Sequence, residues 1–321
     1  MRVIERTFSE NEDHPTVLLA NIHTSANIQQ NINKIEEILE IAHHKNVNIV
    51  ILPELCVTGY IWEAKTDIEA GQVKEHLLSG ENSRIAPWLK NVWDSLKTDG
   101  KGLEYVLFNN VREKDGFLYN AAYVLNKDID YNKEEYIYHK IFLPKDEQRY
   151  FKGGTDKRLT IDTKWGRYGL LICYDLNFVE LARKYAFTDE VDAIITMAAW
   201  RSEATREYPE MNVKTDHYYG FLWQLMNSSK AAYNQVWSLG VNTVGAHDIS
   251  GVYFWGGSGI WAPSGLQLLQ ASNIKDELLI IRNLDIKEQA HKERDEFNYS
   301  IDFHSVYRDM EEPGKYVGCL R

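Results

Sequence analysis

A chain of 321 residues with 44% hydrophobic content can bury a large core, either as one large α/β or sandwich domain or as two smaller ones. Its net charge of −11 comes from 47 acidic side chains with 36 basic ones scattered among them; without a basic face, neither nucleic acid nor an anionic membrane surface is an expected partner. Three cysteines, with no Cys-x-x-Cys and no His pair at ligand spacing, give neither a disulfide framework nor a structural zinc site, and they fit a reducing cytoplasm.

Residues 1–14 are charged, lack the apolar centre of a signal peptide and read as a loose arm. Residues 16–22 form a short apolar run, read as a buried strand. A helix follows over about 27–44, where Ile28, Ile32, Ile35, Leu39 and Ala42 recur at three and four. Residues 47–52 are almost continuously apolar, as in a strand covered on both faces. Strand, helix and strand in this order make a βαβ unit with a parallel pair. Residues 61–102 are polar, helix-like around 85–96, and end in a loose Asp99-Gly100-Lys101-Gly102 turn. Strands are expected at 105–108 and 121–125, around a Lys114-Asp115-Gly116 hairpin signal, and at 135–138, running into His139-Lys140. Further strands are read at 159–162, 169–173, 192–197, 236–241 and 278–284, with a hairpin over 259–269. Helices are read from about 178, over 216–233 and over 286–294, and a tail with several aromatics begins near 296. No linker or repeat divides the chain, so one domain is expected across 1–321.

The stretch around Cys173 reads as buried strand, sharp elbow and helix. At such an elbow a side chain is held clear of the sheet beside the N–H groups that open the next helix. Those donors favour a thiolate and can bind a developing oxyanion. Two readings stand: a nucleophile, by analogy with other strand-to-helix nucleophile turns, or a small apolar core residue. Glu54 and Lys140 occupy similar places, each just after an expected strand. If the strands lie side by side, all three meet at one sheet edge, where a carboxylate can serve as base to a thiol and a cation or the Tyr174 amide can hold an oxyanion. An ordinary Glu–Lys ion pair is the alternative.

Ile51-Leu52-Pro53-Glu54-Leu55 with Thr58-Gly59-Tyr60 resembles the first signature of the nitrilase (carbon–nitrogen hydrolase) superfamily. His139-Lys140 with Leu143-Pro144, Glu147, Tyr150-Phe151 and Gly153-Gly154 resembles the second, and residues 169–175 the third. Leu118-Tyr119-Asn120, Asn242, Gly256-Gly257-Ser258 and Pro263-Ser264-Gly265 extend the match over about 16–295. The resemblance implies a four-layer αββα sandwich, in which the βαβ unit is part of a two-sheet packing. It implies Glu54 as general base, Lys140 as oxyanion-stabilising cation, Cys173 as nucleophile and Glu147 as an additional glutamate for substrate positioning and proton transfers. It also implies a homodimer or larger homo-oligomer and no metal or organic cofactor.

From the residues alone, Glu147 sits in a charged run, Lys145-Asp146-Glu147-Gln148-Arg149, of the kind that usually lies on a solvated face. Tyr60, Tyr150 and Trp200 are read either as pocket lining or as core. Cys56 is read as packing, Cys319 as an exposed tail thiol and His139 as structural. Cys173-Tyr174-Asp175 resembles the amide and carbamoyl hydrolases more than the nitrilases, which usually carry Trp-Glu after the cysteine. Many relatives have an arginine just after the Tyr-Asp step, where this chain has Leu176-Asn177; that argues against an amino-acid-like substrate unless Arg201 takes the arginine's place. The expected reaction is hydrolysis of a small linear amide or N-carbamoyl amine, with nitrile hydrolysis, acyl transfer and a non-catalytic binding role as the alternatives.

Overall fold

The computed structural model describes residues 1–79, 86–98, 102–128 and 133–307. Most of the turn expected at 99–102, and the Cys319 tail, lie outside them. The first half runs β1 (Arg2–Thr7), β2 (Val17–Asn21), α1 (Ile28–His44), β3 (Ile49–Ile51), α2 (Asp67–Ser79), α3 (Ala86–Thr98), β4 (Tyr105–Lys114), β5 (Phe117–Asn126) and β6 (Ile137–His139). Next come β7 (Thr160–Thr163), β8 (Gly166–Ile172), α4 (Val179–Phe187), β9 (Ala193–Ala198), β10 (Arg206–Tyr208), β11 (Val213–Thr215) and α5 (Tyr218–Asn234). The last part is β12 (Trp237–Asn242), β13 (Val244–Ala246), β14 (Tyr253–Trp255), β15 (Gly259–Trp261), β16 (Gln267–Gln270), β17 (Glu277–Arg282), α6 (Lys287–Glu296) and α7 (Tyr299–Val306).

Two large sheets result, one ordered β1-β17-β2-β3-β4-β5-β6 and the other β16-β15-β12-β9-β8-β7. The alternation of side chains along each strand assigns the layers. Val17, Leu19, Ile49, Ile51 and Leu107 of the first sheet share one core with Leu170, Ile172, Ile195, Leu239 and Ile260 of the second. Their neighbours Leu18, Val50, Val106 and Leu278 pack outward on Ile32, Ile35 and Ile38 of α1 and on Trp88 and Val92 of α3. On the far side, Leu171 and Ile194 pack outward on Leu181, Ala182 and Tyr185 of α4. Helix, sheet, sheet and helix form the expected αββα sandwich.

Local chemistry explains why the elements begin and end where they do. Asn27 caps α1 by accepting a hydrogen bond from the Gln30 N–H at 3.2 Å. The β4–β5 hairpin turns on Asp115 and Gly116, both at positive φ (53° and 76°), as a two-residue primed turn requires. Among the described residues, no helix is long and apolar enough to cross a membrane.

Three expectations are corrected. Residues 1–14 are not a loose arm throughout: β1 pairs parallel to β17, Val3 packs toward the helical layer and Ile4 toward the inter-sheet core. The stretch from about 296, read only as a tail with aromatics, begins with a helix: α7 docks through Phe303 on Phe187, with ring centroids 5.5 Å apart. Residues 61–79 also hold more order than was read there, since α2 buries Val73 and Leu77.

Candidate active site

Glu54 follows β3 by three residues, and the backbone turns sharply behind it because Leu55 adopts a left-handed conformation (φ 47°). Gly59 (φ 75°) lets this loop lie against α1's entry; any Cβ there would come within 2.2 Å of the Ser25 carbonyl oxygen. Lys140 continues β6, its N–H bonded to the Asn120 carbonyl at 2.9 Å. Cys173 ends β8 at φ 45°, a left-handed backbone that costs a non-glycine residue about 1–3 kcal/mol. The elbow is thus present, with a short 3₁₀ turn over Cys173–Asn177 ahead of α4.

The carboxylates of Glu54 and Glu147 and the ammonium of Lys140 are fully shielded from solvent. Lys140 Nζ donates to Glu54 Oε1 at 2.7 Å and to Glu147 Oε1 at 2.6 Å. Asn120 Nδ2 donates to Glu54 Oε1 at 2.7 Å, and the Ala199 N–H, from the end of β9 in the opposite sheet, donates to Glu54 Oε2 at 2.7 Å. Tyr60 Oη donates to Glu147 Oε1 at 2.6 Å. Glu147 is therefore not on a solvated face: a 3₁₀ turn over Glu147–Arg149 points that one residue of the charged run inward.

Electrostatics follow from this enclosure. Burial alone would drive the Lys140 pKa down, but the Glu147 and Glu54 charges outweigh it and hold the ammonium protonated. Burial raises the Glu147 carboxyl, against the pull of Lys140. Burial, joined by the Glu54 charge, pushes the Cys173 thiol well above its ordinary range despite Lys140. The resting sulfur is therefore a thiol, and a nucleophilic role needs a base to take its proton during attack. Burial and the Arg112 charge lower His139 to about 4; its ring is stacked on Tyr119 and bonded to the Arg112 guanidinium at 3.0 Å, so it stands as a neutral structural neighbour of Lys140.

A cleft of about 170 Å³ opens above Cys173, lined by Tyr60, Tyr174, Asn177, Trp200, Tyr219 and Leu222, with Asp146 and Arg201 facing each other at 3.4 Å. Tyr150 does not line it; its ring packs at the edge of a cluster around Leu55, Tyr60 and Phe151. Trp200 is fixed from both sides, its N–H on Asn242 Oδ1 at 2.7 Å and its indole N–H on the Tyr219 carbonyl at 2.8 Å. A larger cavity of about 610 Å³ lies at the opposite, amino-terminal ends of β8, β9 and β12, away from this chemistry. Two participants had no sequence signal of their own: Asn120, named only as part of a motif, and the Ala199 amide, which any residue could supply.

The Carbon-nitrogen hydrolase family pattern matches residues 16–290. The chain belongs to this family. This carbon–nitrogen hydrolase is 27% identical to the 2-oxoglutaramate amidase of Bacillus subtilis over 263 residues, 81% of this chain and 86% of the relative. It is 24% identical to the N-carbamoylputrescine amidase of Solanum tuberosum over 289 residues, 86% of this chain and 89% of that protein. In fold it is similar to a carbon–nitrogen hydrolase from Helicobacter pylori G27, with a TM-score of 0.72 at 20% identity, covering 93% of this chain and 99% of the other.

Proposed function

We propose that this carbon–nitrogen hydrolase cleaves a small linear amide or N-carbamoyl amine through a thioester on Cys173. Glu54 takes the Sγ proton as sulfur attacks the carbonyl carbon. Lys140 Nζ and the Tyr174 N–H hold the oxyanion. The tetrahedral intermediate collapses, and ammonia or an amine leaves with the proton that Glu54 returns. Water then gives a proton to Glu54 and attacks the thioester; the intermediate collapses, the acid departs, and Glu54 returns its proton to sulfur, restoring the thiol. Glu147, beside the same ammonium, fits positioning of the substrate nitrogen and its protons.

The observation that carries this reading is the buried Glu54–Lys140–Glu147 array beneath the cleft that Cys173 faces. Glu54, held on a buried ammonium beneath the cleft, is placed to take a proton and give it back. The amidase-named relatives support the amide side of the choice. The cleft is small and mostly apolar within, which fits a short acyl chain, with Asp146 and Arg201 at hand for a polar end. We also read the exposed line of Phe221, Leu225 and Tyr233 along α5, with Val179 of α4, as the seat of a second copy of the chain. The sparse cysteines, with Cys56 and Cys173 both free, fit a cytoplasmic setting.

A panel of short amides, N-carbamoyl amines and nitriles assayed for ammonia release tests the reaction, with Cys173→Ala as blank. The expected result is turnover of amides or carbamoyl amines that the substitution abolishes. Undiminished turnover by Cys173→Ala sinks the proposal. Hydroxylamine added to the same assay separates acyl transfer from hydrolysis.

A further inference from the structure

Asp175 lies two residues beyond Cys173, fully buried, and the reaction as described makes no use of it. Its carboxylate gathers three donors. Oδ1 accepts from the Phe142 N–H at 2.9 Å. Oδ2 accepts from Tyr138 Oη at 2.7 Å and from the Ile172 N–H at 3.1 Å. These partners come from both sheets. Tyr138 and Phe142 stand two residues before and two residues after Lys140, at the edge of the first sheet. Ile172 directly precedes Cys173, at the end of β8 in the second. The Phe142 ring also stacks on Phe178, just past the elbow, with centroids 3.5 Å apart.

We infer that Asp175 is a positioning residue: its carboxylate fastens the segment bearing Lys140 to the elbow bearing Cys173, and so sets the distance between oxyanion cation and nucleophile. This rests on the roles proposed above for Lys140 and Cys173. Such a fastening has a task here, because the two groups belong to different sheets and, among the described residues, no strand of one sheet is laddered to a strand of the other. The left-handed backbone at Cys173 is unfavourable by itself, and the Ile172 N–H bond ties down the residue before it. The chemistry also explains why the residue is an acid. Three donors meet two oxygens, and two of them, the Phe142 N–H on Oδ1 and the Ile172 N–H on Oδ2, can only donate. A carboxylate presents lone pairs to all three, whereas an amide has one oxygen and sets its own N–H groups against a donor. Burial pushes this carboxyl up to about 6, while the Phe142 N–H and Tyr138 hydroxyl pull the other way. Holding an anion here is therefore costly for the fold, as expected of a group kept for alignment.

The test compares wild type with Asp175→Asn and Tyr138→Phe. Iodoacetamide is the probe, and alkylation of Cys173 and Cys56 is followed by mass spectrometry, so the reading does not depend on knowing the substrate. Asp175→Asn is expected to slow Cys173 alkylation about tenfold or more, and to lower kcat on the fastest amide of the panel by a similar factor, with KM within about twofold. Tyr138→Phe removes one bond of three and should slow alkylation about threefold. A purely structural role would lower the melting temperature and leave the folded fraction reacting at the wild-type rate. Wild-type alkylation and kcat in folded Asp175→Asn overturn the inference. Should that variant not fold, wild-type alkylation in Tyr138→Phe overturns it instead. Cys173→Ala keeps the two ideas apart: if that variant turns substrate over, the proposed function fails; if it is inactive while Asp175→Asn is unimpaired, only the fastening role fails.

Discussion

Lys140 and Lys230 are both shut away from water, on opposite sides of the sheet that carries Cys173, yet their pKa values move in opposite directions. Lys140 lies between two carboxylates at 2.6 and 2.7 Å, and they hold its proton on. Lys230, on the inner face of α5, has a single hydroxyl, Thr196 Oγ1, at 2.5 Å, and among the described residues no acid is paired with it. Burial, unopposed, pulls its pKa down to about 7. Burial is common to both, so it does not decide which way the pKa moves; the partner does. The first lysine can offer a permanent cation to a developing oxyanion. The second lies under a helix, outside the cleft, and costs the fold stability.

The largest effect is expected at Lys140. Lys140→Met should lower kcat on the order of 10²–10³-fold, if it is the main oxyanion donor. The same change strands two buried carboxylates and should destabilise the fold by about 3–5 kcal/mol, read from urea unfolding. A variant with wild-type kcat would remove Lys140 from the chemistry. The second largest effect has the opposite sign. Lys230→Met should leave kcat unchanged and raise stability at pH 7 by a few kcal/mol, with about 5 kcal/mol as the ceiling that burial allows. Its pH dependence follows from the direction of the shift. The folded-state pKa lies below the unfolded one, so the wild type is not penalised above about pH 10. It loses stability as pH falls toward 7 and little more below that. The gap between variant and wild type should thus be widest at pH 7 and below, and close on going to pH 10; a gap that widens with pH would contradict the assignment.

At the small end stands the exposed counterpart of the Lys140 array, the Arg201–Asp146 pair at the cleft mouth. Solvent screens it, and such pairs contribute about 0–1 kcal/mol. Arg201→Met should leave stability and kcat near wild type and move KM by about fivefold or less, upward for acidic substrates. A large fall in kcat would make Arg201 part of the reaction rather than of selection.

The parts of this molecule that were legible in sequence are those where one physical signal dominates. Residues 47–52 and 192–197 are mostly apolar runs, and α1 repeats at three and four, so the sandwich's inner strands and outer helix could be read directly. Glu54, Lys140 and Cys173 stood out because each interrupts chemistry-free strand residues at a carboxyl end. Glu147 did not stand out on its own, because local composition says solvent and only a 3₁₀ turn, set by packing from distant elements, turns it inward. β1 was hidden for a similar reason. Arg2, Glu5 and Arg6 carry the charges of an edge strand, and its partner β17 lies some 275 residues away. The hairpin of β10 and β11 is exposed along its whole length, so no burial pattern marked it.

The place of β17 has a bearing on how the chain is made. It is inserted between β1 and β2, the two strands nearest the start of the chain, and completes their sheet only from residue 277 onward. During synthesis, β1 therefore has no neighbour and β2 presents an open apolar edge until about six-sevenths of the chain has emerged. Contacts of such long separation are slow to form, and the waiting edge is a template for pairing with another chain. Chains that stop short of β17 should accordingly be lost to aggregation rather than persist as smaller folded units.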